Sequence, residues 1–124
     1  MKLMFTIAGV TASLSSTAAW ADSYQRAIDG LMNASNRYLA LTYECRDVTG
    51  MSSFRKARAS TENAARATGM PTDEAVLTVE RMVSRLQAKS QSQARLGIHT
   101  CVTGVSRARQ DVQEWRAKLG KAQH

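Results

Sequence analysis

The sequence lacks two features that would place it in other structural classes. No apolar run approaches the roughly 20 residues that a membrane-spanning helix needs, so the sequence predicts no membrane span. Proline occurs once, at Pro71, so long stretches are free of the residue that interrupts helices most strongly. The full chain of 124 residues is long enough for one small domain.

Residues for catalysis and metal binding are also scarce. The chain has two cysteines and two histidines, and it contains neither a C-x-x-C-H haem motif nor a glycine-rich phosphate loop. His99 lies two positions before Cys101, a spacing that points the two side chains to different sides of a helix. A metal site would need more ligands than His99 and His124. We therefore expect no catalytic residue, no metal and no cofactor.

Residues 1–21 have the pattern of a bacterial export signal. A lysine near the start is followed by a mostly apolar stretch, and the segment ends in the cleavage pattern Ala19-Trp20-Ala21. The sequence therefore predicts a cleaved signal peptide at 1–21 and a single helical domain at 22–124, located in the periplasm or secreted. The alternative is that residues 1–21 begin a helix of a protein that is not exported.

Export changes how the two cysteines are interpreted. In an oxidising compartment an even number of cysteines favours a disulfide, whereas in the cytosol two isolated cysteines would be free thiols or part of a metal site. The sequence therefore predicts a Cys45–Cys101 disulfide, the one pairing that two cysteines allow. Such a bond leaves no thiolate to act as a nucleophile beside His99.

Four stretches carry apolar residues at steps of three and four, the spacing of one face of a helix. They predict helices at about 22–48, 53–68, 72–94 and 98–119. Residues suited to begin or end these helices are Gly50, Ser52, Ser53, Gly69, Thr72, Gly97 and Gly120. The fourth helix has the longest regular stripe, formed by Ile98, Cys101, Val105, Ala108, Val112, Trp115 and Leu119.

Helix order and cysteine positions predict the same topology. In an up-down-up-down bundle the first helix ends where the fourth begins, which brings Cys45 and Cys101 together with both side chains facing inward. We therefore predict an all-α fold, a small antiparallel four-helix bundle joined by one disulfide. The second helix has small residues on its inner face, so it buries little apolar area and should open first.

The charge of the sequence is strongly positive, with 17 lysines and arginines against 10 aspartates and glutamates. Basic residues concentrate on the second and third predicted helices, at Arg55, Lys56, Arg58, Arg81, Arg85 and Lys89. They predict an anion-facing surface for an acidic protein or an anionic envelope component. The alternative is an ordinary solvated face. We expect no nucleic acid, because export removes the usual targets and no aromatic residues are interspersed among the basic positions.

Three large aromatic residues, Tyr24, Tyr38 and Trp115, lie on inward-facing stripes. Two interpretations are open. The three could line a ligand pocket, or they could pack in the core with their polar atoms at its rim, which is the ordinary role of such residues.

Two short segments resemble a known family. Residues 44–47, Glu-Cys-Arg-Asp, and residues 71–79, Pro-Thr-Asp-Glu-Ala-Val-Leu-Thr-Val, are similar to motifs of the small periplasmic acid-stress chaperones of the HdeA/HdeB family. The resemblance covers about a tenth of the chain. It implies a short exported helical protein with one disulfide. The sequence departs from that family in its longer cysteine spacing and in placing Cys45 at the end of a long helix, so no functional residue is transferred.

These features favour a small exported binding protein without catalytic activity, whose basic helix faces meet an acidic partner. Two alternatives stay open. One is a periplasmic acid-stress chaperone that loosens in acid and exposes its apolar stripes, and the other is an inhibitor or immunity protein of a toxin or hydrolase. The oligomeric state is also open, because the alanine-rich faces of the second and third helices would suit a homodimer.

Overall fold

Helices make up all of the regular secondary structure that the computed structural model describes. It describes residues 8–89 and 96–123, with side chains over 20–89 and 96–123. The helices are α1 (Ala8–Glu44), α2 (Arg46–Thr49), α3 (Met51–Ala67), α4 (Thr72–Lys89) and α5 (Ile98–Ala122). The predicted all-α class is confirmed.

Helix α1 is the central element. It packs along α5 on one side and along α3 on another, while α4 packs mainly on α3 and makes a smaller contact with α1. The apolar spacing of the first helix predicts one inward stripe, formed by Tyr24, Ala27, Ile28, Leu31, Ala34, Tyr38, Leu41 and Cys45. Ser35, Leu39 and Thr42 lie off this stripe and are nevertheless fully buried. They are buried because α1 has neighbours on more than one side, and a single stripe describes a helix with one buried face.

Helices α1 and α5 run antiparallel in one register. The disulfide joins Cys45 to Cys101, with Cα atoms 5.5 Å apart, and both residues are buried. Further along, the Leu41 side chain lies against Gly104, and the Trp115 ring lies against Gly30. Gly30 lies 11 residues before Leu41 in α1, and Trp115 lies 11 residues after Gly104 in α5, so the two helices keep one register over about 16 Å.

The predicted Cys45–Cys101 disulfide is therefore confirmed, and Cys45 lies at the end of the first helix as expected, but that helix is shorter than predicted. The prediction continued that helix to residue 48, whereas α1 ends at Glu44 and the chain turns at Cys45 before α2. The Cys45 amide still donates to the Leu41 carbonyl, and the Cys45 carbonyl accepts from the amides of Val48 and Thr49, each at 2.9 Å. The disulfide is thus attached at a turn residue that is hydrogen-bonded to both α1 and α2.

The second predicted helix begins earlier than expected. Helix α3 starts at Met51 with Gly50 before it, whose φ of 89° is the left-handed conformation that glycine accepts without strain. The Ser53 hydroxyl donates to the Thr49 carbonyl at 3.1 Å instead of capping the helix. The predicted stop at Gly69 agrees with its φ of 104°.

The third and fourth predicted helices also differ at their ends. Helix α4 ends at Lys89, and the rest of the predicted range to 94 falls within residues 90–95, outside the described part. Gly120 was predicted to end the last helix, but α5 continues through it to Ala122. Ile98, the first residue of the predicted stripe, is 72% exposed and takes no part in the core.

The predicted inner face of the second helix is confirmed except at its last member, Thr68, which follows the end of α3 and is only partly buried. The face consists mainly of small residues. Its buried members are Phe54, Ala57, Thr61, Ala64 and Ala65. The Phe54 ring meets Tyr43 of α1 edge-on at 5.3 Å between centroids, which is the one aromatic contact between α1 and α3 among the described side chains. Small side chains let α3 approach closely but bury little apolar area per residue.

Helix α1 is continuous across the predicted cleavage site at Ala21, and residues 1–7 lie outside the described part. The signal peptide therefore stays a prediction. Trp20, just before that site, is 55% exposed and stacks on Tyr24 at 5.9 Å between centroids. None of the described helices combines the length and hydropathy that crossing a membrane requires.

Reduction of the disulfide should remove a large part of the stability. Closing a loop over a sequence separation of 56 contributes about 4 kcal/mol in the chain-entropy model. A domain of this size has a free energy of unfolding of about 5–10 kcal/mol. Urea unfolding followed by circular dichroism should therefore show a loss of about 4 kcal/mol on adding reductant. The double variant Cys45→Ser/Cys101→Ser should match the reduced protein and should not respond to reductant. A reduced protein within about 1 kcal/mol of the oxidised one would contradict this expectation.

Replacing Gly30 should separate a packing effect from a helix-propensity effect. A methyl group at Gly30 would overlap three atoms of the rigid Trp115 ring, so Gly30→Ala should destabilise by roughly 1–3 kcal/mol. Gly120 is also helical but has open space around it, so Gly120→Ala should stabilise by up to about 1 kcal/mol. Gly104→Ala should fall between the two, because the nearest atom, Leu41 Cδ2 at 2.6 Å, ends a flexible side chain. Urea midpoints would test this order, and a Gly30→Ala variant as stable as the parent would contradict it.

Candidate functional site

The predicted anion-facing residues occupy several surfaces of the α3–α4 pair. Arg58 is partly buried, and its guanidinium lies 3.9 Å from a carboxylate oxygen of Glu62 in its own helix and 3.9 Å from one of Glu80 in α4. Arg58 is therefore balanced by two acidic neighbours and links the two helices. Such partly exposed pairs contribute little to stability, typically below about 1 kcal/mol.

Arg55 and Lys56 are exposed on α3. Arg55 and Arg58 are three residues apart and share a side of the helix, whereas Lys56 points elsewhere because neighbouring helical positions diverge by about 100°. The basic residues of the second predicted helix were expected to form one surface, but in α3 they point in different directions.

Arg81 and Arg85 form an exposed pair, here called the basic ridge. Both are exposed and lie on successive turns of one face of α4. Within the described part of the chain, no carboxylate oxygen lies within 4.0 Å of either guanidinium. Arg85 also borders a small groove of about 210 Å³, whose other described lining residues are Asn36, Met82, Leu86 and Lys89. The ridge therefore presents positive charge beside partly apolar surface.

A larger cleft lies at the end of the α1–α5 pair that is remote from the disulfide. Its volume is about 540 Å³. We call it the basic cleft. The described residues that line it are Trp20, Ser23, Arg26, Ala27, Trp115, Lys118, Lys121 and Ala122. The antiparallel register produces this grouping, because it places the beginning of the described α1 side chains opposite the last turns of α5.

Packing fixes the aromatic wall of the basic cleft. The Trp115 ring lies against the backbone of Gly30, where even a Cβ atom on residue 30 would overlap the ring. The Lys118 ammonium lies 4.1 Å from the centroid of the Trp115 ring, a cation–π distance. Opposite, Trp20 is held by its stack on Tyr24. The cleft therefore has one wall anchored in the core and one wall on the surface.

The electrostatic character of the basic cleft is uniform. Arg26, Lys118 and Lys121 are exposed at its rim, and none of its described lining residues is acidic. Clefts of about 300–1,000 Å³ with apolar walls and a few polar groups are typical of small-molecule sites. The cleft can thus offer apolar contact and positive charge to one ligand.

The aromatic residues named from the sequence divide between the two interpretations. Tyr38 is buried in the core, and Tyr24 packs against the core while stacking on Trp20. Of the three, only Trp115 lines the basic cleft among the described residues. Apolar spacing within single helices does not connect Trp115 with Arg26, Lys118 and Lys121. The signal was present in the predicted disulfide, because pairing Cys45 with Cys101 in antiparallel helices brings residue 26 near the end of the last helix.

The cysteine and histidine positions show no arrangement for catalysis in the described residues. Both cysteines are in the disulfide, and His99 is exposed at the start of α5. Among the described side chains, no group of three His, Cys, Asp or Glu residues is placed to hold a metal ion. His124, the other histidine, lies outside the described part.

In comparisons with known proteins, the chain matches no family model, no curated protein and no solved structure. The likeness of residues 44–47 and 71–79 to the acid-stress chaperones therefore stays a resemblance of short motifs. In the structure the first motif spans the bend at Cys45, and the second covers the turn into α4 and its first half.

Proposed function

We propose that this protein is a small exported binding protein, without catalytic activity, that recognises an anionic partner through basic surfaces on its helices. The observation that carries the proposal is the basic ridge. Arg81 and Arg85 are exposed, aligned on one face and lack a carboxylate partner among the described residues, whereas Arg58 has two. The partner would be an acidic protein or an anionic component of the cell envelope.

Export and a bundle architecture belong to the same proposal. The Cys45–Cys101 bond supports export, because disulfides persist mainly in oxidising compartments. Support for an antiparallel four-helix bundle comes from the α1–α5 register and from the ends of the helices. The Gln123 side-chain amide, just after α5, donates to the Ala67 carbonyl at the end of α3 at 3.4 Å, so α3 and α5 end at the same side of the molecule.

Recognition by exposed arginines should depend on salt. In water the attraction between exposed charges is screened over about 10 Å at 0.1 M ionic strength. The formal net charge of +7 adds a general attraction for anions, so a test must separate the ridge from total charge. The chain offers a matched control in Arg107 and Arg109, which are exposed on α5 and away from the ridge.

The test is salt elution from immobilised poly-L-glutamate at neutral pH. Arg81→Gln/Arg85→Gln should elute at a clearly lower salt concentration than Arg107→Gln/Arg109→Gln, although both variants lose the same charge. The three proteins should have equal helicity and thermal midpoints, because the substituted side chains are exposed.

Equal elution of the two double variants would mean that total charge, and not the ridge, causes retention, and it would overturn the proposal. A parent protein that is not retained would also overturn it. If the parent protein is not retained and suppresses aggregation of a client protein in acid but not at neutral pH, the acid-stress chaperone becomes the better interpretation. Capture of one enzyme at fixed stoichiometry, independent of salt, would favour the inhibitor.

A further inference from the structure

We infer that the basic cleft is a second binding site, for a small amphipathic anion: a carboxylate or sulfonate carried on an aromatic or alkyl body. This site lies between α1 and α5 and shares no residue with the basic ridge on α4. Its ligand class also differs, because the cleft combines aromatic walls with cations, whereas the ridge presents cations on a convex helix face.

The apolar part of the ligand would lie against Trp115. The Trp115 ring packs against Gly30, so its position is fixed before a ligand arrives. The Trp115 side chain therefore loses little conformational entropy on binding. Ala27, which is 4% exposed, and Ala122 add small apolar surfaces beside the ring. Small residues at these positions keep the space beside the ring open, while the Lys118 ammonium lies over the ring itself.

The charged part of the ligand would meet Lys118 and Lys121. They lie three residues apart, so they project from successive turns of the same side of α5. Arg26 approaches from α1, and the Ser23 hydroxyl lies one turn before it on the same helix. A single anion near the rim can therefore interact with cations from both helices, and an uncharged ligand of the same shape would lose that interaction.

Most of the site lies after the predicted cleavage point. Of the described lining residues, only Trp20 precedes Asp22. Cleavage after Ala21 would remove the outer wall and leave Arg26, Trp115, Lys118 and Lys121 in the chain.

The test uses two fluorescent probes of nearly equal shape: 1-anilinonaphthalene-8-sulfonate, which is an anion, and N-phenyl-1-naphthylamine, which is neutral. Each is titrated at pH 7 into the purified full chain. The sulfonate should bind saturably with one site per chain and at least ten-fold more tightly than the neutral amine. Lys118→Gln/Lys121→Gln should weaken sulfonate binding about ten-fold, because two partly screened charge contacts are lost. The same variant should leave binding of the neutral probe within two-fold.

Two control variants keep the test specific. Arg107→Gln/Arg109→Gln removes the same charge elsewhere on α5, and Arg81→Gln/Arg85→Gln removes it from the ridge, so both should leave sulfonate affinity within two-fold of the parent. Circular dichroism should show that all variants remain folded. Equal affinity for the two probes, or equal weakening by all three double variants, would overturn the inference. Since the ridge and the cleft are tested with different residues and probes, failure of one proposal is distinguishable from failure of the other.

Discussion

Close packing between α1 and α5 is the interaction on which the rest of the structure depends. A covalent bond at Cys45 and Cys101 holds one end, and the contacts of Leu41 with Gly104 and of Trp115 with Gly30 continue the same register. Glycine at both contact points lets the helices approach until a large side chain of one meets the backbone of the other. The register then determines which residues share each end of the pair. It places Arg26 beside Lys118 and so creates the basic cleft.

The other side of α1 is occupied differently. Helix α3 presents mainly alanine and threonine, and α4 packs on α3 more than on α1. This hairpin presents smaller side chains to its neighbours than the α1–α5 pair does, and the Arg58–Glu80 ion pair links its two helices. Arg81 and Arg85 lie on the exposed face of α4 in this hairpin. The disulfide-linked pair α1–α5 thus forms the cleft, and the α3–α4 hairpin, whose inner face has small side chains, carries the ridge.

Much of this fold could be predicted from the sequence, because periodicity reports which helix faces are apolar and two cysteines allow one pairing. The inner face of α3 and the disulfide were predicted correctly on that basis. The burial of Ser35 and Leu39 was not predicted, since a stripe cannot show that a helix has several neighbours. The break between α1 and α2 at Cys45 was not predicted, because apolar spacing continues through it and the end of a helix depends on backbone geometry. The cleft was missed because its residues are far apart in sequence and only the register joins them.

Amide hydrogen exchange at neutral pH tests the central role of the α1–α5 pair most directly. Since these two helices are joined covalently and packed through glycine contacts, we expect the slowest exchange in α1 between Leu31 and Thr42 and in α5 between Gly104 and Leu119. Amides of α3 and α4 should exchange through openings of clearly lower free energy. If the amides around Ala57 and Ala64 in α3 are protected as strongly as those of α1 and α5, the α1–α5 pair is not the stable unit on which the fold is built.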